Sequence, residues 1–231
     1  MKKVSILGDS ISTFEGFNPE GYAVYYDKEK QAKNGLESVN DTWWAKVIKA
    51  LDGELCVNNS YSGSRVSGAD FPSTNNMKRL EALKKEDCSP DYILINMGTN
   101  DFGCGVKISK SNYYSVVKPD CRYFLYAYDI MLKNIMSLYP NAKIVCSTIM
   151  KTEVKNEPSW FFNETYGGIE RCKYNEVIRK ITLQNKCYLA DTQQSGVVYD
   201  TLDGAHPTKQ GHSEIAEVWI KCLSDLKLIN N

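Results

Sequence analysis

The chain is 231 residues long, 42% hydrophobic and 24% charged, which suits one globular domain with a sizeable core and excludes disordered or fibrous chains. Its 28 basic residues are matched by 28 acidic ones, so the electrostatic footprint of a nucleic-acid binder is missing. No apolar run approaches the roughly 18 to 20 residues that span a bilayer. The apolar stretch after Lys2 and Lys3 is too short for a secretory segment, so no membrane partner is expected and the expected address is cytoplasmic.

Strands are expected at residues 3–8, 54–58, 91–97, 142–149 and 187–190. Helical patterns fall at 41–51 (with Asp41-Thr42 as a cap), 74–86, 124–138, 168–185 and 209–226. This alternation predicts an α/β fold of βαβ units: a three-layer α/β/α sandwich around a five-stranded parallel sheet, in the flavodoxin-like order 2-1-3-4-5. Three long connections, 12–40, 99–123 and 150–167, begin at strand carboxyl ends and are rich in aromatics. They carry Phe14, Phe17, Tyr22, Tyr25 and Tyr26, then Phe102, Tyr113, Tyr114 and Tyr123, then Trp160, Phe161, Phe162 and Tyr166. Eight cysteines, Cys56, Cys88, Cys104, Cys121, Cys146, Cys172, Cys187 and Cys222, lack any C-x-x-C pair. They read as free, mostly buried thiols in a reducing compartment rather than as disulfides or a zinc site, with Cys104 and Cys121 the more exposed.

The first strand runs into Gly8-Asp9-Ser10-Ile11-Ser12, where an open α/β sheet presents its chemistry. Ser10 there is either a helix N-cap or a nucleophile. A serine nucleophile needs a base within reach, normally a histidine held by a third group. The chain has two histidines. His206 lies in Asp203-Gly204-Ala205-His206-Pro207, after the fifth strand, where Asp203 can meet its Nδ1 face; the same residues also make an ordinary Asp-Gly turn. His212, inside the last helix, reads as a surface or helix-packing residue. Donors for an oxyanion are offered by Asn58-Asn59-Ser60-Tyr61-Ser62-Gly63-Ser64-Arg65 after the second strand and Gly98-Thr99-Asn100-Asp101 after the third. Both are also ordinary turn compositions.

These segments, in this order, resemble the four blocks of the SGNH, or GDSL-type, serine hydrolase family, and the resemblance spans almost the whole chain. It implies Ser10 as nucleophile, His206 as general base and then acid, and Asp203 as the carboxylate orienting His206. The implied oxyanion hole is the N–H of Ser10, the N–H of Gly63 and the side-chain amide of Asn100. The first block has Ile11 where many members have Leu. The second block is the least distinctive, and Gly68 competes with Gly63 there. Asp9 and Asp101 are expected to make turn or cap hydrogen bonds. No metal or organic cofactor is implied, and the partner is a small-molecule ester, with a small O-acetylated saccharide as the leading candidate. Arg65 is a candidate for binding a substrate carboxylate or phosphate. A carbohydrate-binding module without turnover, or a thioesterase or lysophospholipase of the same family, are the alternatives. A dinucleotide-binding oxidoreductase is disfavoured because the first turn lacks G-x-G-x-x-G. A phospho-transfer role for Asp9 is disfavoured because later strand ends offer Asn100 and His206 instead of acids and a lysine.

Overall fold

The computed structural model describes residues 1–110, 119–154, 157 and 165–229. The central sheet contains β1 (Lys2–Gly8), β2 (Gly53–Ser60), β3 (Tyr92–Asn96), β4 (Lys143–Ser147) and β8 (Tyr188–Ala190). All pairings are parallel and the spatial order is β2-β1-β3-β4-β8, the expected 2-1-3-4-5 arrangement. Four further strands pair outside it, β5 (Lys151–Val154) with β9 (Val198–Thr201) and β6 (Thr165–Tyr166) with β7 (Ile169–Glu170).

Alternation along the strands divides the core in two, because successive side chains point to opposite faces. Val4, Ile6, Leu94 and Val145 pack on one side, against Trp43 and Val47 of α2 (Trp43–Ala50) and Trp219 and Leu223 of α7 (Lys209–Asp225). Leu7, Ile93, Ile95 and Ile144 pack on the other, against Met131 and Ile135 of α5 (Phe124–Leu138) and Ile178 of α6 (Arg171–Gln184). Three short helices complete the described set: α1 (Lys28–Lys33), α3 (Met77–Glu81) and α4 (Thr99–Gly103).

Several expectations are corrected. The helix expected over 74–86 is reduced to α3, capped by the Asn76 side chain. Beyond it the chain turns at Lys85–Cys88, where each backbone N–H donates to the other residue's carbonyl, and this turn delivers Cys88 to β2. There Cys56 and Cys88 form a disulfide, with Cα atoms 5.9 Å apart. Eight free thiols therefore do not describe this chain, and the support they lent to a reducing, cytoplasmic address is withdrawn. Of the six free cysteines only Cys146 is buried, while Cys104 and Cys172 are exposed. The helix expected from 168 starts at Arg171, because Ile169–Glu170 pairs with Thr165–Tyr166 in a hairpin. Of the two places expected for His212 it takes helix packing: it is fully buried and its Nδ1 accepts from the Trp43 N–H at 3.3 Å. Among the described residues no helix is long and apolar enough to cross a membrane.

Candidate active site

Register brings the chemistry to one edge. Gly8, at the end of β1, pairs with Ser60 at the end of β2 and Asn96 at the end of β3, so the turns that follow all open on the same side. Gly8 has no room for a side chain, since a Cβ would sit 2.6 Å from Ser12 Oγ and 2.7 Å from Ser60 Oγ. The chain then tightens into a single 3₁₀ turn, Ser10–Ser12. Its N-cap is Asp9, whose Oδ1 accepts from the Ile11 N–H at 3.0 Å. Ser10 is thus freed from capping.

The Ser10 hydroxyl points at His206. Ser10 Oγ lies 2.9 Å from His206 Nε2, and His206 Nδ1 lies 2.7 Å from Asp203 Oδ2. Asp203 Oδ1 accepts from the backbone N–H groups of His206 (2.8 Å) and Ala205 (3.1 Å). Oδ2 also accepts from the Tyr25 hydroxyl at 2.9 Å. Burial would raise the Asp203 carboxyl, but the hydrogen bond and charge of His206 and these backbone donors outweigh it and hold the group well below the usual carboxylate range. Asp203 is then an anion that accepts from Nδ1–H, which leaves the Nε2 lone pair facing Ser10.

Tyr25 is the residue that sequence reasoning left among thirteen loop aromatics. Its ring stacks on the His206 imidazole, centroids 3.4 Å apart and planes within 7°, while burial and donation to Asp203 push its hydroxyl far above its ordinary range. The histidine turn has a second support. It follows β9, not the fifth strand of the main sheet as expected, and β9 pairs in parallel with β5. Thr152 of β5 donates to the Gly204 carbonyl (2.7 Å), Tyr199 to the Ala205 carbonyl (3.1 Å) and Tyr26 to the Pro207 carbonyl (2.7 Å). Strands of four residues inside long connections carry too little periodicity to be read in advance.

Around the hydroxyl, among the described residues, the N–H groups of Ser10 and Gly63 donate to no protein acceptor. Gly68, the competitor, donates its N–H to the Cys121 carbonyl at 2.8 Å. Asn100 stands in the first turn of α4 after Gly98, whose φ of 120° suits glycine. One amide hydrogen of Asn100 goes to the Ser64 carbonyl at 3.0 Å, leaving the other available. Asp101, fully buried, clamps the two donor turns together: its oxygens accept from the Val66 (2.7 Å) and Ser67 (2.8 Å) N–H groups. Of the loop aromatics, Tyr113, Tyr114, Trp160, Phe161 and Phe162 lie outside the described residues. Tyr22 packs with Phe71 and with Tyr61, two residues before Gly63 in the chain, ring centroids 5.1 to 5.5 Å apart, and Phe71 is exposed.

Asp9 itself is buried and its Oδ2 has no hydrogen-bond partner. Burial pushes its carboxyl up to about 6, against the pull of the Ile11 N–H and of the nearby Arg79 guanidinium. A carboxyl raised on folding adds stability below its unfolded value, and that contribution is lost as pH rises through the folded value. The Asp9→Asn variant, which cannot ionise, is therefore expected to gain on the wild type across that interval. Its melting temperature relative to wild type should rise between about pH 4 and about pH 8, by an increment worth up to roughly 3 kcal/mol. A difference that stays constant over that range would refute the assignment.

Residues 2–195 match the family model GDSL-like Lipase/Acylhydrolase; Ser10, Gly63 and Asn100 fall inside the match, and Asp203 and His206 follow it. A curated relative, a multidomain esterase of Ruminococcus flavefaciens, is 26% identical over 242 residues, covering 95% of this chain. The chain spans only 28% of the length of that relative. A solved structure from Bacteroides ovatus, assigned as a GDSL-like lipase, aligns with a TM-score of 0.72 at 27% identity, covering 98% of this chain and 99% of that one. A carbohydrate acetylesterase from Sinorhizobium meliloti has the same fold, with a TM-score of 0.62 at 15% identity and coverage of 98% and 100%.

Proposed function

The chain belongs to the GDSL-like lipase/acylhydrolase family and is a hydrolase, and from that premise we propose that residues 1–231 act as one domain that hydrolyses a carboxylic ester through Ser10, His206 and Asp203. The observation that carries this reading is the unbroken Ser10–His206–Asp203 hydrogen-bond relay, at 2.9 and 2.7 Å. Its substrate is proposed to be a small O-acetylated carbohydrate. The exposed Phe71 beside Tyr22 and Tyr61 supports that choice, because aromatic faces give large, weakly polar stacking surfaces of the kind a sugar ring presents.

In the proposed reaction Ser10 Oγ attacks the ester carbonyl while its proton passes to His206 Nε2. The imidazolium formed is stabilised by Asp203 and covered by the Tyr25 ring. The carbonyl oxygen, now carrying the negative charge, accepts from the Ser10 and Gly63 N–H groups and the Asn100 amide. On collapse the carbon–oxygen bond to the alcohol breaks and Nε2 returns the proton to the departing oxygen. A water then gives its proton to Nε2 as it attacks the acyl carbon, the bond from that carbon to Ser10 Oγ breaks, and Nε2 returns the proton to Oγ, releasing the acid and free Ser10.

The test is a panel of p-nitrophenyl acyl esters and acetylated sugars, with Ser10→Ala as control and fluorophosphonate labelling of Ser10 as a second readout. Acetyl esters should be turned over fastest. Preference for long acyl chains or thioesters would replace the substrate assignment, whereas inactivity on every ester without labelling would favour a binding module. Asn100→Ala should lower kcat by roughly 10²- to 10³-fold with a smaller change in KM, because its free amide hydrogen acts on charge that develops only in the transition state. A loss below about threefold on every accepted ester would remove Asn100 from the oxyanion hole.

A further inference from the structure

An open pocket of about 390 Å³ adjoins the donor turns and is lined by Arg65, Ser67, Cys104, Lys107, Arg122 and Tyr123, with two further residues. Arg65 in its lining follows Gly63 and Ser64 directly in the chain. Ser64 touches both sides of the site, its Oγ donating to the Gly8 carbonyl at 3.4 Å and its own carbonyl accepting from Asn100 at 3.0 Å. Arg65 is the next residue. Its guanidinium and the Lys107 ammonium are exposed and, among the described residues, form no hydrogen bond or salt bridge. Arg122 is salt-bridged to Asp120 at 2.8 Å, which Lys110 also approaches at 3.6 Å. Asp101 lies behind the wall, with both oxygens turned to backbone donors. Three cations, Arg65, Lys107 and Arg122, thus line a cavity near the small end of the range for ligand sites, with Arg122 alone among them salt-bridged and the Arg65 charge acting on buried Asp101 behind the wall.

We propose that this pocket receives an anionic group, a carboxylate or a phosphate, carried by the alcohol part of the ester whose carbonyl Ser10 attacks. This rests on the esterase reading above and sharpens its substrate class. A planar guanidinium offers paired donors to either oxyanion, and the free ammonium of Lys107 adds an undirected charge. Anchoring the alcohol part there would hold the acyl carbonyl against Gly63 and Asn100, one turn away, and convert binding energy into orientation.

The experiment compares acetate release from acetylated glucose, acetylated glucuronate and acetylated glucose 6-phosphate. The wild type should prefer at least one anionic ester over the neutral one by roughly 10- to 100-fold in kcat/KM, the two arms separating carboxylate from phosphate. In Arg65→Glu/Lys107→Glu that ratio should fall to one or below. A ratio near one in the wild type, or one unchanged in the variant, would overturn the proposal. Calorimetric titration of wild type and variant with glucuronate, glucose 6-phosphate and glucose needs no turnover. Anion binding by a protein inert on all esters sinks the esterase reading alone; ester turnover without anion binding or preference sinks the pocket alone.

Discussion

On the proposed mechanism, Ser10→Ala and His206→Ala are each expected to lower kcat by on the order of 10⁴- to 10⁶-fold, with KM changed little, because one removes the nucleophile and the other the base that activates it. The double variant should be no worse than either single one, since a nucleophile without its base and a base without its nucleophile are equally idle. Asp203→Asn should cost less, roughly 10²- to 10⁴-fold. The Asp203 side chain is 43% exposed, so water can partly replace it, and Tyr25 still covers the imidazole face. The measurement is steady-state hydrolysis of a p-nitrophenyl ester by the three single variants and the Ser10/His206 double variant. Additive losses in that double variant, or a His206→Ala protein retaining a tenth of wild-type kcat, would mean that another group accepts the Ser10 proton. His212 is not a substitute. Its Nδ1 is occupied by Trp43, and burial depresses its pKa to about 3.

The site's skeleton was readable because its demands are local. A turn straight off a parallel strand needs a residue without a side chain, and Gly8 and Gly98 advertise that need in the sequence; parallel register then aligns Ser60, Gly8 and Asn96 without further information. The choice between Gly63 and Gly68 was not local. It turns on whether an N–H is already spent, and only the approach of Cys121 spends that of Gly68. The same holds for Cys56 and Cys88, which are 32 residues apart in sequence and meet through a turn that a longer helix was expected to occupy. Tyr25 looked like its neighbours Tyr22 and Tyr26, since stacking on His206 depends on a residue 181 positions away. Arg79 was hidden most completely. In a helical pattern flanked by Lys78 and Glu81 it reads as part of a solvated face, yet it is fully buried.

That burial leads to the second large expected effect: Arg79→Met should destabilise the fold by about 3–5 kcal/mol and lower the melting temperature by roughly 10 °C. Arg79 Nη2 donates to the Gly8 carbonyl at 2.8 Å and the Asn59 carbonyl at 3.1 Å, Nε donates to Asn59 Oδ1 at 3.1 Å, and Nη1 donates to the Pro72 carbonyl. One cation thus ties the end of β1, the end of β2 and the loop before α3 through main-chain acceptors. Burial lowers its pKa to about 10, so it stays charged near neutral pH. Methionine fills similar volume but leaves buried acceptors without donors, which is the costly way to break such a network. Lysine keeps the charge, but its compact ammonium cannot span carbonyls on three segments, so Arg79→Lys should recover only part of the loss. Lys78→Met, one residue away and exposed, is the control and should change stability by less than about 0.5 kcal/mol. Urea unfolding of the three variants decides the matter. Arg79→Met as stable as Lys78→Met would show that water or backbone relaxation satisfies Gly8, Asn59 and Pro72 without the guanidinium. A full loss recovered largely by lysine would instead place the effect in the charge, through its attraction to the buried Asp9 carboxylate.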